Sequence, residues 1–188
     1  NYKIDDVDHT FLPTEVNCNS LSVDMIFICL PKKNVEDLKK QFFKFDISIS
    51  QIFCSSYVKS INYKNNFSSI ENISFIDMGF NKTSITCYNK NQISFFHILP
   101  IGGNHITKDL SKILNIDLID AEKIKLYFDK DENLLNEKKL SLELIQKIIF
   151  ARIEEILELC AKSIKSNISL EESSHLKMVL MGEGSKIL

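Results

Sequence analysis

Arginine is nearly missing from this chain: Arg152 is the only one, and every other basic residue is lysine. Guanidinium groups supply most bidentate contacts to base edges. A single arginine and a net charge of −2 therefore argue against nucleic acid as a partner and give no general attraction to an anionic membrane. Paired cysteines are missing as well. Cys18, Cys29, Cys54, Cys87 and Cys160 are odd in number and widely spaced, with no C-x-x-C. His9, His97, His105 and His175 lie beside no cysteine pair, so the clustered ligands of a zinc site are absent. The expectation is reduced, buried cysteine in a cytosolic protein, with Cys29 and Cys54 set in apolar runs. No apolar stretch reaches the roughly 18 residues of a spanning helix, and no signal peptide is expected. There is no internal repeat and no low-complexity tract. The chain starts on Asn1 and stops on a strand, a turn and a helix start at Met181 to Leu188. Both ends are expected to be cut ends.

What is present suits a globular α/β protein. Of 188 residues, 44% are hydrophobic and 26% charged, enough for one or two domains with a real core. Residues 1–22 are polar and mixed. Val23 to Leu30 is expected to be a buried strand closed by Pro31, and Asn34 to cap a helix running to about Lys44. Ile47 to Cys54 predicts a second strand and Ser55 to Ile61 a short helix. Asn62 to Ser69 predicts a polar linker and a domain boundary. Three strands should follow, Ile73 to Asp77, Ser84 to Tyr88 and Ile93 to Leu99, with hairpin chemistry at Asn89 to Gln92. Helices are expected from Pro100–Asn104 onward, over Leu118 to Phe128, and over Ser141 to Lys165. The last carries an apolar stripe from Leu142 to Cys160 that core packing explains. Asp129 to Lys139 predicts a charged loop, and Leu176 to Met181 a final strand. Such an order implies a sheet that is partly antiparallel.

Three short segments carry chemistry. In the first, Asp77 ends a strand and Gly79, Asn81, Lys82 and Thr83 form the turn. Backbone N–H groups of such a turn can cradle phosphate while the acid holds Mg²⁺; an ordinary hairpin has the same pattern. The second places Gly102 and Gly103 where a strand gives way to a helix. Glycine there allows close approach of a ligand or of another backbone segment, and the helix N-terminus favours an anion. His105 fits a first-turn residue better than a catalytic base. In the third, Gly182, Gly184 and Ser185 follow the last strand, where a flat adenine can lie against backbone.

These segments, in this order, resemble the actin, chaperone and sugar-kinase ATPase superfamily, and within it the bacterial cell-division protein FtsA. The likeness rests on Leu99-Pro-Ile-Gly-Gly-Asn-His-Ile-Thr-Lys-Asp-Leu110, on Asp120-Ala-Glu-Lys-Ile-Lys125, on Arg152-Ile-Glu-Glu-Ile-Leu-Glu-Leu159 and on Val179-Leu-Met-Gly-Glu-Gly-Ser185. It covers about residues 47–188, with residues 1–46 fitting in outline. It implies an actin-like (ribonuclease H-like) mixed α/β sheet with flanking helices, in a partial chain with inserted subdomains. By this likeness residues 1–45 are the remainder of an inserted subdomain, and 46–69 end the first actin-like half and lead into a linker. Residues 70–117 and 171–188 belong to the second half, and 118–170 to its own inserted helical subdomain.

The resemblance also implies ATP and Mg²⁺. Asp77 and Gly79 would face phosphates and metal, Glu122 and Lys125 the ribose and adenine, and Gly182, Gly184 and Ser185 the adenosine. It implies a scaffold at the inner face of the cell membrane at the division site. Such a scaffold binds the FtsZ polymer, forms filaments, and reaches the membrane through a C-terminal helix that this chain does not include. Departures limit the chemistry. Phe80 and Asn81 replace two glycines of the phosphate turn, Ser84 replaces its closing Asp, and Glu183 stands where the adenosine turn has Gly. At most a weak ATPase is expected. A PilM-like pilus-assembly scaffold and an actin-fold ATPase or kinase are the alternatives.

Overall fold

A computed structural model describes residues 2–9, 11–128, 140–168 and 176–187. The chain divides into two compact units, Asn1–Ile61 and Asn62–Leu188.

The first unit holds a three-stranded antiparallel sheet in the order β2-β1-β3, with β1 Tyr2–Ile4, β2 Val7–His9 and β3 Leu21–Val23. Asp5 and Asp6 sit at positive φ between β1 and β2, a left-handed geometry that short polar side chains tolerate. The Asp5 carboxylate accepts bonds from the Asn19 and Ser20 N–H groups at 2.9 and 2.8 Å. Two expected strands are corrected. The extended run ends at Val23 and does not continue as a strand to Leu30, and 47–54 forms no strand. Both runs are apolar, but neither finds a neighbouring strand in this unit, and a strand exists only through its ladder. Helix α1, Lys32–Phe43, starts directly after Pro31, whose fixed φ suits a helix entry. Asn34 is therefore not the cap; its N–H bonds the Pro31 carbonyl at 3.0 Å. Cysteine burial is corrected with the strands: Cys18 and Cys29 are exposed and Cys54 half-buried.

Helix α2 spans Ser55–Asn66, passing Ile61 into the stretch expected as linker. Polar residues there lack the Gly or Pro that would stop a helix. Lys64 is buried, with its ammonium donating to the Phe67 carbonyl and to Asn91 Oδ1 at 3.1 and 2.8 Å.

The second unit is a four-stranded sheet in the order β6-β5-β4-β7. Strands β4 Ile73–Met78, β5 Thr83–Asn89 and β6 Gln92–Leu99 form an antiparallel meander, and β7 Lys177–Met181 joins β4 in parallel. Lys90 and Asn91, both at positive φ, make the two-residue β5–β6 turn, matching the right-handed twist of the strands. The remaining helices among the described residues are α3 Gly103–Leu114, α4 Leu118–Tyr127 and α5 Leu142–Asn167. Asp117 caps α4 and Ser141 caps α5 through their side chains. A 3₁₀ turn at Glu183–Ile187 follows β7. The charged loop expected over Asp129–Lys139 lies outside the described residues.

The apolar stripe of α5 decides the packing. Its C-terminal part, Ile156, Cys160 and Ile164, lies on one sheet face against Ile76, Met78, Ile85 and Cys87. Its N-terminal part, Ile145, Ile149 and Ile153, packs with Ile106 and Leu110 of α3 and Ile124 of α4. The opposite sheet face buries Ile73, Phe75, Tyr88 and Met181. This is the mixed α/β sheet with flanking helices that the sequence predicts, and it brings the β4 end, the α3 start and the β7 end to one side of the sheet.

Candidate nucleotide site

Strand order alone brings two of the three segments together. The register pairs Asp77 with Ser84 on β5 and with Met181 on β7. Gly182 therefore comes directly after the residue beside Asp77. A Cβ on Gly182 would stand 2.4 Å from Asp77 Oδ1 and 2.6 Å from the Met78 carbonyl, and its φ is +90°. Only glycine fits such a position. Gly184 is just as tightly set, with the Met78 side chain 2.6 Å from where a Cβ would be. Ser185 turns its hydroxyl inward to the Gly182 carbonyl at 2.8 Å. Asp77 and Ser84 are both buried, and the Ser84 hydroxyl has no hydrogen-bond partner among the described residues.

The β4–β5 turn and the start of α3 are fastened to each other. Gly79 N–H donates to the Lys82 carbonyl at 2.9 Å and closes the turn. Gly103 N–H donates to the Gly79 carbonyl at 3.0 Å, and Asn104 N–H to the Phe80 carbonyl at 2.7 Å. Asn104 Nδ2 adds a bond to Asn81 Oδ1 at 2.9 Å. Gly102 permits this contact. Its φ of −171° is ordinary extended backbone, but a Cβ there would lie 2.5 Å from the Gly79 carbonyl oxygen. Of the two uses open to these glycines, Gly102 shows close approach of another backbone segment. Thr83 is buried and donates to the Ile101 carbonyl at 2.7 Å, while Lys82 is exposed. His105 accepts from the Gly102 N–H through Nδ1 at 3.2 Å, which makes it part of the helix cap.

Helix α4 supplies the ion pair. Lys125 is 4% exposed. Its ammonium donates to Glu122 Oε2 at 2.7 Å, to Thr107 Oγ1 at 2.9 Å and to the Gly103 carbonyl at 3.2 Å. The Phe80 ring covers the same ammonium, with its centroid 5.6 Å away, within cation–π range. Thr107 in turn donates to Glu122. Buried ammonium needs such partners, and three bonds use all three of its N–H donors. Thr107 is the residue that sequence reasoning missed. It lies four residues after Gly103, on the same helix face, and that spacing was the available signal.

Gly79, Gly102, Gly103, Glu122 and Lys125 thus form one connected group, and Asp77, Gly182, Gly184 and Ser185 a second, joined through Met78 and Gly79. No three His, Cys, Asp or Glu side chains cluster as a metal cage among the described residues.

Known proteins resemble this chain in sequence and in fold. The FtsA protein of Helicobacter pylori is 30% identical over 116 residues, 62% of this chain and 24% of that protein. The chain therefore spans about a quarter of that relative's length. Two solved structures share the fold. MreB5 of Spiroplasma citri bound to ADP superposes with a TM-score of 0.63 at 16% identity, over 83% of this chain and 55% of the other. A chain of the PilM–PilN type IV pilus biogenesis complex gives 0.62 at 15% identity, over 81% and 41%. The fold is actin-like, and the family model for cell division protein FtsA matches residues 74–179, more than half of the sequence and most of the second unit. The chain belongs to the FtsA family.

Proposed function

We propose that this protein is a cell-division scaffold that binds adenine nucleotide, self-associates, and links the FtsZ polymer to the inner face of the cell membrane at the division site. The observation that carries the nucleotide part is the Glu122–Lys125 pair, docked by Lys125 on Gly103 beside the 79–82 turn. Support also comes from MreB5, a structural neighbour solved with ADP. In this reading Asp77, Gly79, Asn81, Lys82 and Thr83 lie on the phosphate side, with Gly102 and Gly103 behind them. Glu122 and Lys125 lie toward ribose and base, and Gly182, Gly184 and Ser185 toward adenosine. Residues 70–117 and 171–188 make the core of the second actin-like half, and the lobe 118–170 meets FtsZ.

The ion implied by the fold is Mg²⁺. Asp77 is the carboxylate that would hold it, directly or through water. The partnerless Ser84 hydroxyl beside it is a polar group that a hydrated ion would satisfy. With no protein cage among the described residues, the ion would arrive with the phosphates. Turnover is slow at most, because Ser84 replaces the closing Asp and offers no carboxylate to orient water.

The test uses the full-length protein. Co-sedimentation with FtsZ polymers, and a titration with a fluorescent adenine nucleotide, should both be positive. Failure to pellet with FtsZ, together with capture by pilus-assembly proteins, would replace this reading with the pilus one. Phosphate release at rates typical of kinases would replace it with the enzyme one.

A further inference from the structure

We propose that helix α1 and the segment after it form a second lipid-contact surface, which seats on the headgroups of anionic phospholipid. The contact belongs to the first unit alone. It is separate from the C-terminal helix that the family likeness implies, and it depends on neither nucleotide nor FtsZ.

The chain's net charge of −2 conceals a local segregation. Residues 1–61 hold seven lysines, and five of them, Lys32, Lys33, Lys39, Lys40 and Lys44, fall on α1 and its C-cap. The same residues hold eight acids, of which only Glu36 and Asp37 fall there. Glu36 is taken by Lys32 at 3.6 Å, which leaves Asp37 alone against the other four lysines. Lys39 and Lys40 have no ion-pair partner among the described residues. A basic cluster of this kind is drawn to an anionic leaflet.

Apolar groups lie beside these charges. No residue of α1 is buried among the described residues. Leu38, Phe42 and Phe45 follow the spacing of one helical stripe, and Phe43 and Phe45 are 74% and 76% exposed. A groove of about 400 Å³ runs between α1 and the segment after it, lined by Lys39, Lys40, Phe43, Ile47, Ser48 and Ile49. Two ammonium groups and a hydroxyl donate; a ring and two branched chains exclude water. A phosphodiester bearing acyl chains matches both parts. Its oxygens accept from Lys39, Lys40 and Ser48, and Phe43, Ile47 and Ile49 reach the boundary of headgroup and acyl chain. A bilayer fits better than an acidic peptide. Peptide recognition draws on directional groups, such as a free strand edge or arginine forks. The charges here are ammonium groups on flexible stems, point charges that suit a mobile layer of headgroups.

Hydrogen exchange on the full-length protein tests this, with vesicles of phosphatidylglycerol and phosphatidylcholine or of phosphatidylcholine alone. Residues 36–49 are expected to exchange about fivefold or more slowly on the anionic vesicles and unchanged on the neutral ones. Joint Lys39→Ser and Lys40→Ser substitution should abolish that slowing and weaken vesicle binding by about tenfold. Phe43→Ser should act in the same direction with the charges intact. Lys3→Ser, on β1, should leave binding within about twofold. The proposal is overturned if the protein does not sediment with anionic vesicles, or sediments with exchange at 36–49 unaltered. Wild-type binding by the double lysine variant overturns it too. Equal slowing by inorganic phosphate would make the groove a free-anion site, and slowing by polyglutamate but not by vesicles would make it a peptide dock; either replaces the lipid assignment.

Discussion

Arg152 of α5 clasps Asp109 of α3 with both arms of its guanidinium, Nε to Oδ2 at 2.6 Å and Nη2 to Oδ1 at 3.0 Å. The chain's only arginine thus serves to tie two helices whose apolar faces already meet. The bond to Asp109 holds the guanidinium above its ordinary pKa. Lysine cannot copy this two-point grip. Arg152→Lys is expected to lower stability by about 1–2 kcal/mol, read as a fall in the urea midpoint with unchanged slope.

Gly182 is the most constrained glycine of the second unit. Gly182→Ala places a methyl against the Asp77 carboxylate and the Met78 carbonyl at φ +90°. A loss of about 2–4 kcal/mol is expected from strain and steric overlap together. Thermal melting of the full-length variant measures it. A melt within a degree of wild type would show that the β7 end relaxes freely.

Lys125 and Glu122 should couple. Glu122→Gln leaves a buried ammonium without its anion, and a loss of about 1–3 kcal/mol is expected. Lys125→Met removes the charge and retains the stem's packing. The double variant should be less damaged than the two single losses added together, and a thermodynamic cycle from three denaturation curves gives the coupling.

Cys87 and Cys160 are fully buried in one cluster. Burial pushes each thiol from 9.0 to about 11; for Cys87 a bond with Ser74 works the other way. The folded state therefore favours the protonated thiols. Stability from these two groups is intact below pH 9, where both states carry the proton. It falls as pH rises from 9 to about 11, because the unfolded chain releases its protons first. A maleimide pulse at neutral pH should label the exposed Cys18 and Cys29. Cys87 and Cys160 should remain unlabelled until denaturant is added, as peptide mass mapping will show.

Lys90 holds φ at 48° in the β5–β6 turn, a strained position for a long side chain. Lys90→Gly is expected to stabilise the protein by about 0.5–1 kcal/mol. Asn91 is a poor target for the same change because its side chain accepts the bond from Lys64.

The second unit was legible because its signals are local. Ile73 to Leu99 alternates or runs apolar between turn residues, and α5 repeats its apolar stripe for several turns. The helices of the first unit were legible, but its strands were not, for two reasons. Its strands β1 and β2 are three residues long and polar, too short for a period to show. The strong runs at 23–30 and 47–54 looked like strands, yet a run of apolar residues fixes only a preference for burial, not a partner to pair with. At the site, Gly102, Gly182 and Gly184 were legible because each allows a contact no side chain would. The Phe80–Lys125 contact was not. It joins residues far apart in sequence, and Phe80 looked only like an unfavourable replacement for glycine.

Strand β7 reaches its place only after the whole of α3, α4 and α5 has intervened, whereas β4, β5 and β6 are joined by tight turns. Parallel pairing between β4 and β7 closes the longest loop in the unit, so it is entropically the most expensive contact to make. The meander can form early from neighbours in sequence; the seating of Gly182 against Asp77 comes last. On a ribosome this face of the unit would therefore be finished only once the chain beyond Met181 had cleared the exit tunnel. Any ligand needing both Asp77 and Gly182 would then act as a late clamp on the nearly folded protein rather than as a nucleus for its folding.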